Sequence, residues 1–335
     1  MRRSRFAVLV LLLVTEAAAD MLPGFRLEKT GDCEGFLTSI AFDPAGNLHY
    51  STTNGGIHRL LGHESREIAR VETANEGNAA LLGIAFRSSD EVIAHYVAPD
   101  LTADIIASIA LSTREVLEVR RFVCDDGRPC SSEHHGGNPI VAPDGSIYVG
   151  IGDIAGGTPA QIPTSPAGKI LRIAPDDSFS VYALGFRNPY DLAVHAESGQ
   201  LIVGDNGAIG EDEINLVAEN DNGGWPYTMG SKDQVKGMLR PAYTFDESIA
   251  PTGLAAVNGQ GFFKDGFLVG SFVTRAVYYF PKVTSPLDPP IVVLENPPEL
   301  STSGLGAMHA PPSVRSPIID VVQDPKGDIY IGTAS

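Results

Sequence analysis

Two short segments about fifty residues apart carry the side chains with the clearest chemical potential. The first is Glu133-His134-His135-Gly136-Gly137-Asn138, and the second is Leu184-Gly185-Phe186-Arg187-Asn188-Pro189. His134 is a proton acceptor that titrates near neutral pH, and Arg187 is a permanent cation beside an amide. If the two segments meet in space, they supply a general base and an anion stabiliser. That combination suits the removal of a proton and a hydride from an alcohol.

A base of this kind needs an acid to orient it. Residues 147–152 read as a β-strand and are followed by Asp153, nineteen residues beyond His134. We expect the loop and strand to bring Asp153 back to His134, where it would fix one tautomer of the ring. Three alternatives stay open at this point. Asp153 could cap a turn, residues 187–189 could form a surface turn, and His135 could be the base instead.

An acidic, glycine-containing loop forms a third candidate segment. It runs over residues 205–215 and is followed by Gly223-Gly224-Trp225-Pro226. Carboxylates and exposed backbone carbonyls are oxygen ligands that calcium accepts, although the spacing is not that of an EF-hand. The alternative is a solvated acidic loop. Trp225 is the only tryptophan, and we expect it to pack in the core or at the rim.

The elements that must position these loops appear as an internal repeat. A turn followed by a short apolar strand recurs at the markers Gly46, Asp90, Gly145, Gly199, Gly266 and Gly327, which are 44, 55, 54, 67 and 61 residues apart. Periods of this size are typical of propeller blades. The 36 glycines and 24 prolines interrupt the chain too often for long helices. The sequence therefore predicts an all-β, six-bladed β-propeller with its functional loops at one mouth of the channel.

The two ends of the sequence predict a signal peptide and the way in which the last blade is completed. Three arginines precede nine apolar residues, Phe6–Val14, and a run of alanines ends at Ala19. This pattern predicts a cleaved signal peptide over residues 1–19 and a single propeller domain over residues 20–335, secreted or periplasmic. Nine apolar residues are too few for a membrane span, which needs about 20. Because the chain stops at Ser335, just after the last repeat's strand, we expect either that the final blade takes a strand from around Phe25–Leu27 or that the sequence is cut short.

Charge and cysteine content narrow the function classes. The net charge is −17, and a surface this acidic repels nucleic acids and anionic membranes, so neither is an expected partner. In an exported protein Cys124 and Cys130 are expected to form a local disulfide. Cys33 is left over and is expected to be a buried free thiol.

Taken in order, these motifs resemble the glucose/sorbosone dehydrogenase family, which includes soluble quinoprotein glucose dehydrogenases and aldose sugar dehydrogenases. The resemblance spans roughly residues 25–335. The matching stretches are Leu81–Phe86, His134–Gly137, Pro143–Asp153, Gly168–Ile173, Leu184–Pro189, Asp212–Leu216 and Gly224–Pro226. The order and spacing of these stretches are specific when taken together. The resemblance implies a six-bladed propeller with pyrroloquinoline quinone (PQQ) and calcium at the channel mouth.

The resemblance also implies a role for each residue of the first two segments. His134 would be the general base on the C1 hydroxyl of a sugar, and Asp153 would orient it. Hydride would pass from C1 to the quinone. Arg187 would stabilise the reduced quinone oxygen, with Asn188 beside it.

The implied cofactor and metal ligands lie in other loops. The backbone carbonyls of Gly207 and Ala208 would hold the calcium, and Asn78 would be a polar contact of the cofactor. Two departures occur here. Residues 206–208 read Asn-Gly-Ala where family members usually have His or Gln followed by Gly-Pro, and Asn138 replaces a common arginine.

The largest departure concerns the cations that face the cofactor carboxylates. Quinone-binding members use a lysine and a late Arg-x-Arg-Asp motif for this purpose. Here the lysine position is Val273, and the arginine positions are Pro317 and Ile319. Charge-assisted hydrogen bonds to the carboxylates would be lost at these positions. Arg275 and Arg315 are the cations that could replace them.

The leading prediction is an exported quinoprotein-type sugar dehydrogenase that oxidises the C1 hydroxyl of an aldose to a lactone. Its partners would be the sugar and an external electron acceptor. One alternative is a secreted propeller that binds a ligand or a protein and has lost the redox cofactor. Another is a propeller hydrolase or lactonase that uses histidine and calcium, with Asp153 and Asp212 as the nominated ligands.

Overall fold

The computed structural model describes residues 6–9, 20–124, 130–154, 156–208, 210–231, 234–259, 261–297 and 316–333. The described residues form strands, turns and loops, and their only helical element is a 3₁₀ turn, Thr158–Gln161. No helix within these ranges is long and apolar enough to cross a membrane. The predicted signal peptide, residues 1–19, lies outside the described residues except for the backbone of Phe6–Leu9.

The strands are short and are numbered here in chain order. They are β1 (Phe6–Leu9), β2 (Asp20–Met21), β3 (Leu27–Lys29), β4 (Leu37–Phe42), β5 (Leu48–Thr52), β6 (Gly56–Leu61), β7 (Glu64–Arg70), β8 (Leu81–Phe86), β9 (Glu91–Val97), β10 (Ala103–Ala110), β11 (Glu115–Val123), β12 (Ile140–Val141), β13 (Ile147–Ile151), β14 (Lys169–Ile173), β15 (Phe179–Leu184), β16 (Pro189–Val194), β17 (Leu201–Asp205), β18 (Glu213–Val217), β19 (Tyr243–Thr244), β20 (Pro251–Ala256), β21 (Phe267–Ser271), β22 (Ala276–Phe280), β23 (Ile291–Glu295), β24 (Ile318–Gln323) and β25 (Ile329–Thr333).

Five sheets are antiparallel meanders built from consecutive strands. They consist of β4–β7, β8–β11, β12–β15, β16–β19 and β20–β23, with β2 added to the outer edge of the last. The first strands of neighbouring meanders contact each other, as β4 does with β8 and β16 does with β20. Meanders arranged side by side around a shared axis form a β-propeller, which confirms the predicted all-β propeller class.

A sixth sheet is built differently, in the order β24-β25-β1-β3. β24 and β25 are antiparallel, whereas β1 runs parallel to both β25 and β3. β24 contacts both β20 and β4. The N-terminal strand predicted near Phe25–Leu27 is present as β3, but β1 lies between it and β25. Because this sheet is not a meander like the other five, the count of six blades stays a prediction.

The repeat glycines lie in the turns between the first and second strands of their sheets. Gly46, Gly145, Gly199, Gly266 and Gly327 have φ angles of 80, 83, 70, 91 and 89°. Glycine adopts this left-handed conformation without the penalty that a Cβ imposes. These turns mark one edge of the sheets. The loops that precede β12 and β16 therefore lie at the opposite edge, together with the ends of β13 and β17.

The core lies between adjacent sheets rather than within one. Ile57 of β6 packs in one cluster with Leu81 of β8 and Ile105 of β10. Ile202 of β17 packs in another cluster with Phe267 of β21. Burial of each such side chain contributes about 1.5–3 kcal/mol. This packing fixes neighbouring sheets relative to each other, so loops from different sheets keep defined positions at the same edge.

Candidate active site

His134 and Asp153 form a hydrogen-bonded pair at the edge where β12 begins and β13 ends. Nδ1 of His134 lies 2.8 Å from Oδ1 of Asp153. Because an ionised carboxylate only accepts hydrogen bonds, we assign the proton to Nδ1 and the free lone pair to Nε2. The side chain of His134 is 18% exposed and that of Asp153 is 4% exposed. The acid is thus shielded while the ring reaches solvent, which is the arrangement of an oriented general base.

Close backbone approach makes this pair possible. His134 itself has a φ of 58°, in the left-handed region that is uncommon for a residue with a side chain. A Cβ added to Gly152 would overlap the carbonyl oxygen of His134. A Cβ added to Gly136 would likewise overlap the carbonyl oxygen of Gly150. The loop and the end of β13 can therefore lie in contact only because glycine occupies both positions.

Trp225 fixes the other oxygen of the acid. Its indole Nε1 donates to Oδ2 of Asp153 at 2.9 Å, and the backbone N–H of Gly157 donates to the same oxygen at 3.2 Å. Both carboxylate oxygens are therefore held, and the carboxylate has one fixed orientation toward His134. The sequence predicted only a packing role for Trp225. The Gly-Trp-Pro stretch in the family resemblance was the only signal of a role at the site.

The guanidinium of Arg187 lies at the same edge. Its Nη1 donates to the carbonyl oxygens of Asn206 and Gly207 at 2.9 and 2.7 Å. The guanidinium carbon lies 5.7 Å from the centroid of the Trp225 ring, within the range of a cation–π contact. The cation is thus held between the loop that follows β17 and the tryptophan that holds Asp153.

The two segments singled out in the sequence are in direct contact. The backbone N–H of Gly136 donates to Oδ1 of Asn188 at 3.0 Å. The backbone N–H of Asp153 donates to the carbonyl oxygen of Arg187 at 2.7 Å. The structure therefore brings the predicted base, its acid, the cation and the amide together across two adjacent sheets.

Two buried carboxyl groups, those of Asp205 and Glu213, lie close to the Arg187 segment. Oδ2 and Oδ1 of Asp205 accept hydrogen bonds from the backbone N–H groups of Arg187 and Asn188, at 3.1 and 2.7 Å. Glu213 is the cross-strand partner of Asp205. Burial raises the pKa of Asp205 to about 7. Burial, and then the charge of Asp205, raise the pKa of Glu213 to about 8. The sequence analysis placed both residues in a candidate calcium-binding loop, whereas the structure places them in β17 and β18, where they are buried.

The nominated calcium ligands lie in a loop that Asp212 holds in place. Oδ1 of Asp212 accepts from the N–H of Gly207 at 2.8 Å, and Oδ2 accepts from the N–H groups of residues 249 and 250. The N–H of Ala208 lies 3.2 Å from Sδ of Met229. Asp212 thus acts on the backbone of its own region. It does not join Asp153 in any group of three metal-ligating side chains within the described ranges.

His135, the competing base, is fully engaged in a buried network. Its Nδ1 lies 3.0 Å from Oδ1 of Asp104, and its Nε2 lies 2.7 Å from the carbonyl oxygen of Ser131. His95 contacts Asp104 with Nε2 at 3.3 Å and the carbonyl of Gly137 with Nδ1 at 2.8 Å. Burial opposes the charge on His135, but the attraction of Asp104 outweighs it and raises the pKa of His135. With both ring nitrogens engaged, His135 holds the loop and leaves His134 as the available base.

The predicted disulfide between Cys124 and Cys130 is confirmed, with 5.5 Å between the two Cα atoms. Cys130 is followed directly by Ser131, the residue that His135 contacts. The bond therefore closes the segment that leads into the His134 loop. Cys33 is a free thiol, as predicted, but it is only partly buried.

The remaining predicted cofactor positions differ in their surroundings. Asn78 is exposed, and its backbone N–H donates to the carbonyl of Ser132 at 2.7 Å, so it lies beside the His134 loop. Val273 is 53% exposed, whereas Ile319 is 3% exposed and packs in the core with residues 37 and 40. Pro317 is partly buried. None of these three can pair with a carboxylate.

The donor set therefore fits one half of the implied cofactor site. A cation, an amide and backbone carbonyls are present for the reacting end of a quinone and for calcium. The positions that should hold the cofactor carboxylates offer no charge. Arg275 is two residues from Val273, and its Nε is buried without a hydrogen-bond partner among the described residues. Arg315, the other candidate, lies outside them.

Comparisons with known proteins find named sugar dehydrogenases that match part of this chain. Quinoprotein glucose dehydrogenase B of Acinetobacter calcoaceticus is 32% identical over 138 residues, which cover 32% of this chain and 29% of that protein. Aldose sugar dehydrogenase YliI of Escherichia coli K12 is 25% identical over 158 residues, which cover 39% and 43%. The chain thus matches less than half the length of these two relatives.

A solved structure and a family model cover much more of the chain. The PQQ-bound aldose sugar dehydrogenase of Streptomyces coelicolor superposes with a TM-score of 0.74 at 22% identity, over 94% of this chain and 91% of that one, which shows a shared fold. The model of the family described as Glucose / Sorbosone dehydrogenase matches residues 37–335. Because that match includes most of the chain, the protein belongs to the glucose/sorbosone dehydrogenase family.

Proposed function

We propose that the protein is an exported, PQQ-dependent sugar dehydrogenase that oxidises the C1 hydroxyl of an aldose to a lactone. An external acceptor would then take the electrons. The observation that carries this proposal is the His134–Asp153 pair, 2.8 Å apart, beside the Arg187 cation. A shielded acid, an accessible imidazole and a fixed cation are the groups that alcohol oxidation by proton and hydride removal requires.

His134 performs the proton transfer in this proposal. Nε2 carries the free lone pair and accepts the proton of the C1 hydroxyl. Asp153 keeps Nδ1 protonated and stabilises the imidazolium that forms. Trp225 keeps the carboxylate from rotating away, because it donates to the second oxygen at 2.9 Å.

The electron pair of the C1–H bond leaves as hydride while the C1–O bond becomes the carbonyl of the lactone. When bound, the quinone supplies the two-electron acceptor for that hydride. Arg187 contributes a permanent positive charge where negative charge develops, and Asn188 fixes the loop beside it.

Arg187, Asn188 and Asn78 would hold the quinone, and the carbonyls of Gly207 and Ala208 would hold calcium. Val273 and Ile319 give the cofactor carboxylates no cation. Each missing charge-assisted hydrogen bond costs about 1.5–3 kcal/mol of binding. We therefore expect this chain to bind the quinone more weakly than family members with the full set of cations.

The remaining parts of the proposal concern architecture and location. We infer that the sheet of β24 and β25 is the sixth blade, because β24 contacts both β20 and β4 and so lies between the last and first meanders. Residues 1–19 would be removed on export. Residues 20–335 would then act as a single propeller domain outside the cell or in the periplasm.

Reconstitution tests the proposal. Purified residues 20–335 with PQQ and calcium should reduce a redox dye in the presence of aldoses, and should not do so when either component is omitted. The matched control is His134→Ala, which should still bind the quinone in an absorbance titration but should not turn over. Absence of quinone binding would remove the redox function and leave the ligand-binding propeller as the better description.

A further inference from the structure

Three arginines line one groove in a chain whose net charge is −17. The groove has a volume of about 360 Å³, and its lining includes His49, Arg59, Arg66 and Arg114. It lies between the β4–β7 and β8–β11 sheets. Asp43, in the turn that joins β4 to β5, also lines it. That turn is at the edge opposite the His134 loop, so the groove is separate from the catalytic mouth.

The basic side chains form a row across three adjacent strands. His49 of β5 is the direct cross-strand partner of Arg59 of β6, and Arg59 is the direct partner of Arg66 of β7. Directly opposed residues project from the same face of a sheet, and like charges at such positions destabilise the pairing. Arg114 adds a third guanidinium from the neighbouring sheet. A negatively charged group bound beside this row would reduce the repulsion between its side chains.

The carboxylate of Asp43, which lines the groove, already forms hydrogen bonds within its own turn. Oδ1 of Asp43 accepts from the backbone N–H of Asn47 at 2.9 Å, and Oδ2 accepts from the Asn47 amide at 2.7 Å. Oδ2 also contacts Nε2 of His49 at 3.3 Å. Asp43 therefore holds the turn and one side of the His49 ring. It makes no ion pair with any of the arginines.

The other two carboxylates in the lining also have partners elsewhere. Arg70, on the same strand, donates to both oxygens of Glu67. Both oxygens of Asp90 accept from Ser112, through its backbone N–H and its hydroxyl at 2.7 Å each. In the described part of the chain, Arg59, Arg66 and Arg114 form no salt bridge. The groove thus contains carboxylates that already have partners, together with Arg66 and Arg114, which have no ion-pair partner among the described residues. Nη2 of Arg59 donates to Oδ1 of Asn47 at 2.6 Å, and its other N–H groups form no salt bridge there.

Two buried polar atoms beside the groove have no hydrogen-bond partner within the described ranges. They are Nε of Arg59 and Nδ1 of His49, and His49 is 2% exposed. An unpaired buried polar atom costs about 1–3 kcal/mol. Because Nε2 of His49 faces a carboxylate, we assign the ring proton to Nε2, and Nδ1 is then an acceptor. Both atoms are shielded from solvent, so a ligand in the groove would instead contact the exposed side chains of Arg66 and Arg114.

We propose that this groove binds a phosphate-class oxyanion, either inorganic phosphate or the phosphate group of a phosphomonoester. Tetrahedral phosphate oxygens suit the fork of guanidinium donors. At neutral pH a phosphomonoester is mostly a dianion that carries no P–O–H group, so recognition rests on the guanidinium contacts. Sulfate has the same shape and should occupy the same groove. The site is independent of the sugar dehydrogenase function proposed above.

Calorimetric titration of the full chain with inorganic phosphate, at constant ionic strength and pH 7, tests the proposal. We expect one saturable site, and sulfate should compete for it, because guanidinium groups recognise the shape and charge of either tetrahedral anion. A parallel titration with a sugar phosphate distinguishes the two sources. Tighter binding of the ester indicates a phosphomonoester ligand, and tighter binding of the free ion indicates inorganic phosphate.

Variants connect the binding to the named side chains. The double variant Arg59→Gln with Arg66→Gln should lose at least about tenfold in phosphate affinity, because two charge-assisted contacts are removed. The matched control is Arg121→Gln, an exposed arginine of β11 that pairs with Glu118, and it should bind as wild type. If the double variant does not fold, the exposed Arg114→Gln replaces it. Absence of saturable phosphate binding, or unchanged affinity in the groove variants, overturns the proposal.

Discussion

Nη1 of Arg187 donates to the carbonyl oxygen of Gly207 at 2.7 Å, and this oxygen is one of the two that the family resemblance assigns to calcium. Calcium binds oxygens at about 2.3–2.6 Å and needs six to eight of them. The positive charge of the guanidinium repels a cation at the same carbonyl. If calcium binds Gly207 as proposed, it would compete with Arg187 for this oxygen, and binding of the ion would release the arginine.

This competition gives the first prediction, which the fluorescence of the single tryptophan can report. The Arg187 guanidinium lies 5.7 Å from the Trp225 ring, so its departure should change the emission as calcium is added. Arg187→Ala should bind calcium more tightly, by roughly tenfold, since one hydrogen bond no longer has to be broken. It should also show a smaller change in emission. The control is Arg121→Ala, an exposed arginine of β11 that pairs with Glu118. Equal or weaker calcium affinity in Arg187→Ala would show that the arginine is not a competitor.

The second prediction separates the two adjacent histidines. His134→Ala should lower kcat by about 10²–10⁴-fold with the fold intact, because it removes the general base. His135→Gln keeps the base and should retain turnover, although it weakens the contacts with Asp104 and Ser131. It should therefore lower the melting temperature more than His134→Ala does. Dye reduction and circular dichroism measure the two effects.

The exposed His63, in the turn between β6 and β7, provides a matched control for these substitutions. His63→Ala should change neither activity nor stability. Full activity in His134→Ala, or loss of activity in His135→Gln with an intact fold, would contradict these roles and identify His135 as the base.

The difference between these histidines shows how far the sequence alone could go. The spacing of the glycine markers placed the turns correctly. His134 precedes one strand and Asp153 follows the next, and this arrangement predicted that the two residues meet. That contact lies within one sheet, where strand period and turn position determine the geometry. The sequence left His134 and His135 as alternatives, because the network that occupies His135 comes from Asp104 and His95 in a neighbouring sheet.

Contacts between sheets account for the other residues that the sequence analysis missed. Trp225 lies 72 positions from Asp153 and reaches it from another sheet. Asp212 looked like a metal ligand because it is acidic and in a glycine-containing loop, yet its carboxylate is used by backbone N–H groups. Local periodicity carries no information on how sheets pack against each other, so these partners became visible only in the folded chain.

The third prediction concerns the orientation of the base. Asp153→Asn places an amide against Nδ1 of His134 and favours the wrong tautomer, so kcat should fall by about 10²–10⁴-fold. Trp225→Phe removes only the second hydrogen bond to the carboxylate and should cost roughly tenfold. Tyr227→Phe is the control, because Tyr227 is 61% exposed two residues away. Steady-state kinetics with saturating cofactor measure all three. Equal losses in Trp225→Phe and Tyr227→Phe would remove the orienting role of the indole.

The fourth prediction follows from the carboxyl groups beneath Arg187. Burial, and then the charge of Asp205, raise the pKa of Glu213 to about 8 in the folded protein, whereas an unfolded chain has a pKa near 4.3 for this group. The folded state therefore binds more protons than the unfolded state between these values. The contribution of Glu213 to stability is fully present below about pH 4.3 and is lost as the pH rises through about 8.

Glu213→Gln removes this titration while keeping an acceptor for the N–H of Gly230, and Asn215 can turn its amide to present an oxygen to the new side chain. The variant and the wild type should have similar free energies of unfolding near pH 4.5. The variant should become more stable than the wild type by on the order of 5 kcal/mol as the pH rises to about 8, and the difference should level off above that pH. Urea denaturation at a series of pH values measures the difference, with Glu219→Gln, an exposed residue of the turn that follows β18, as the control. A gap that narrows as the pH rises would mean that Glu213 is stabilised as a carboxylate, contrary to its burial beside Asp205.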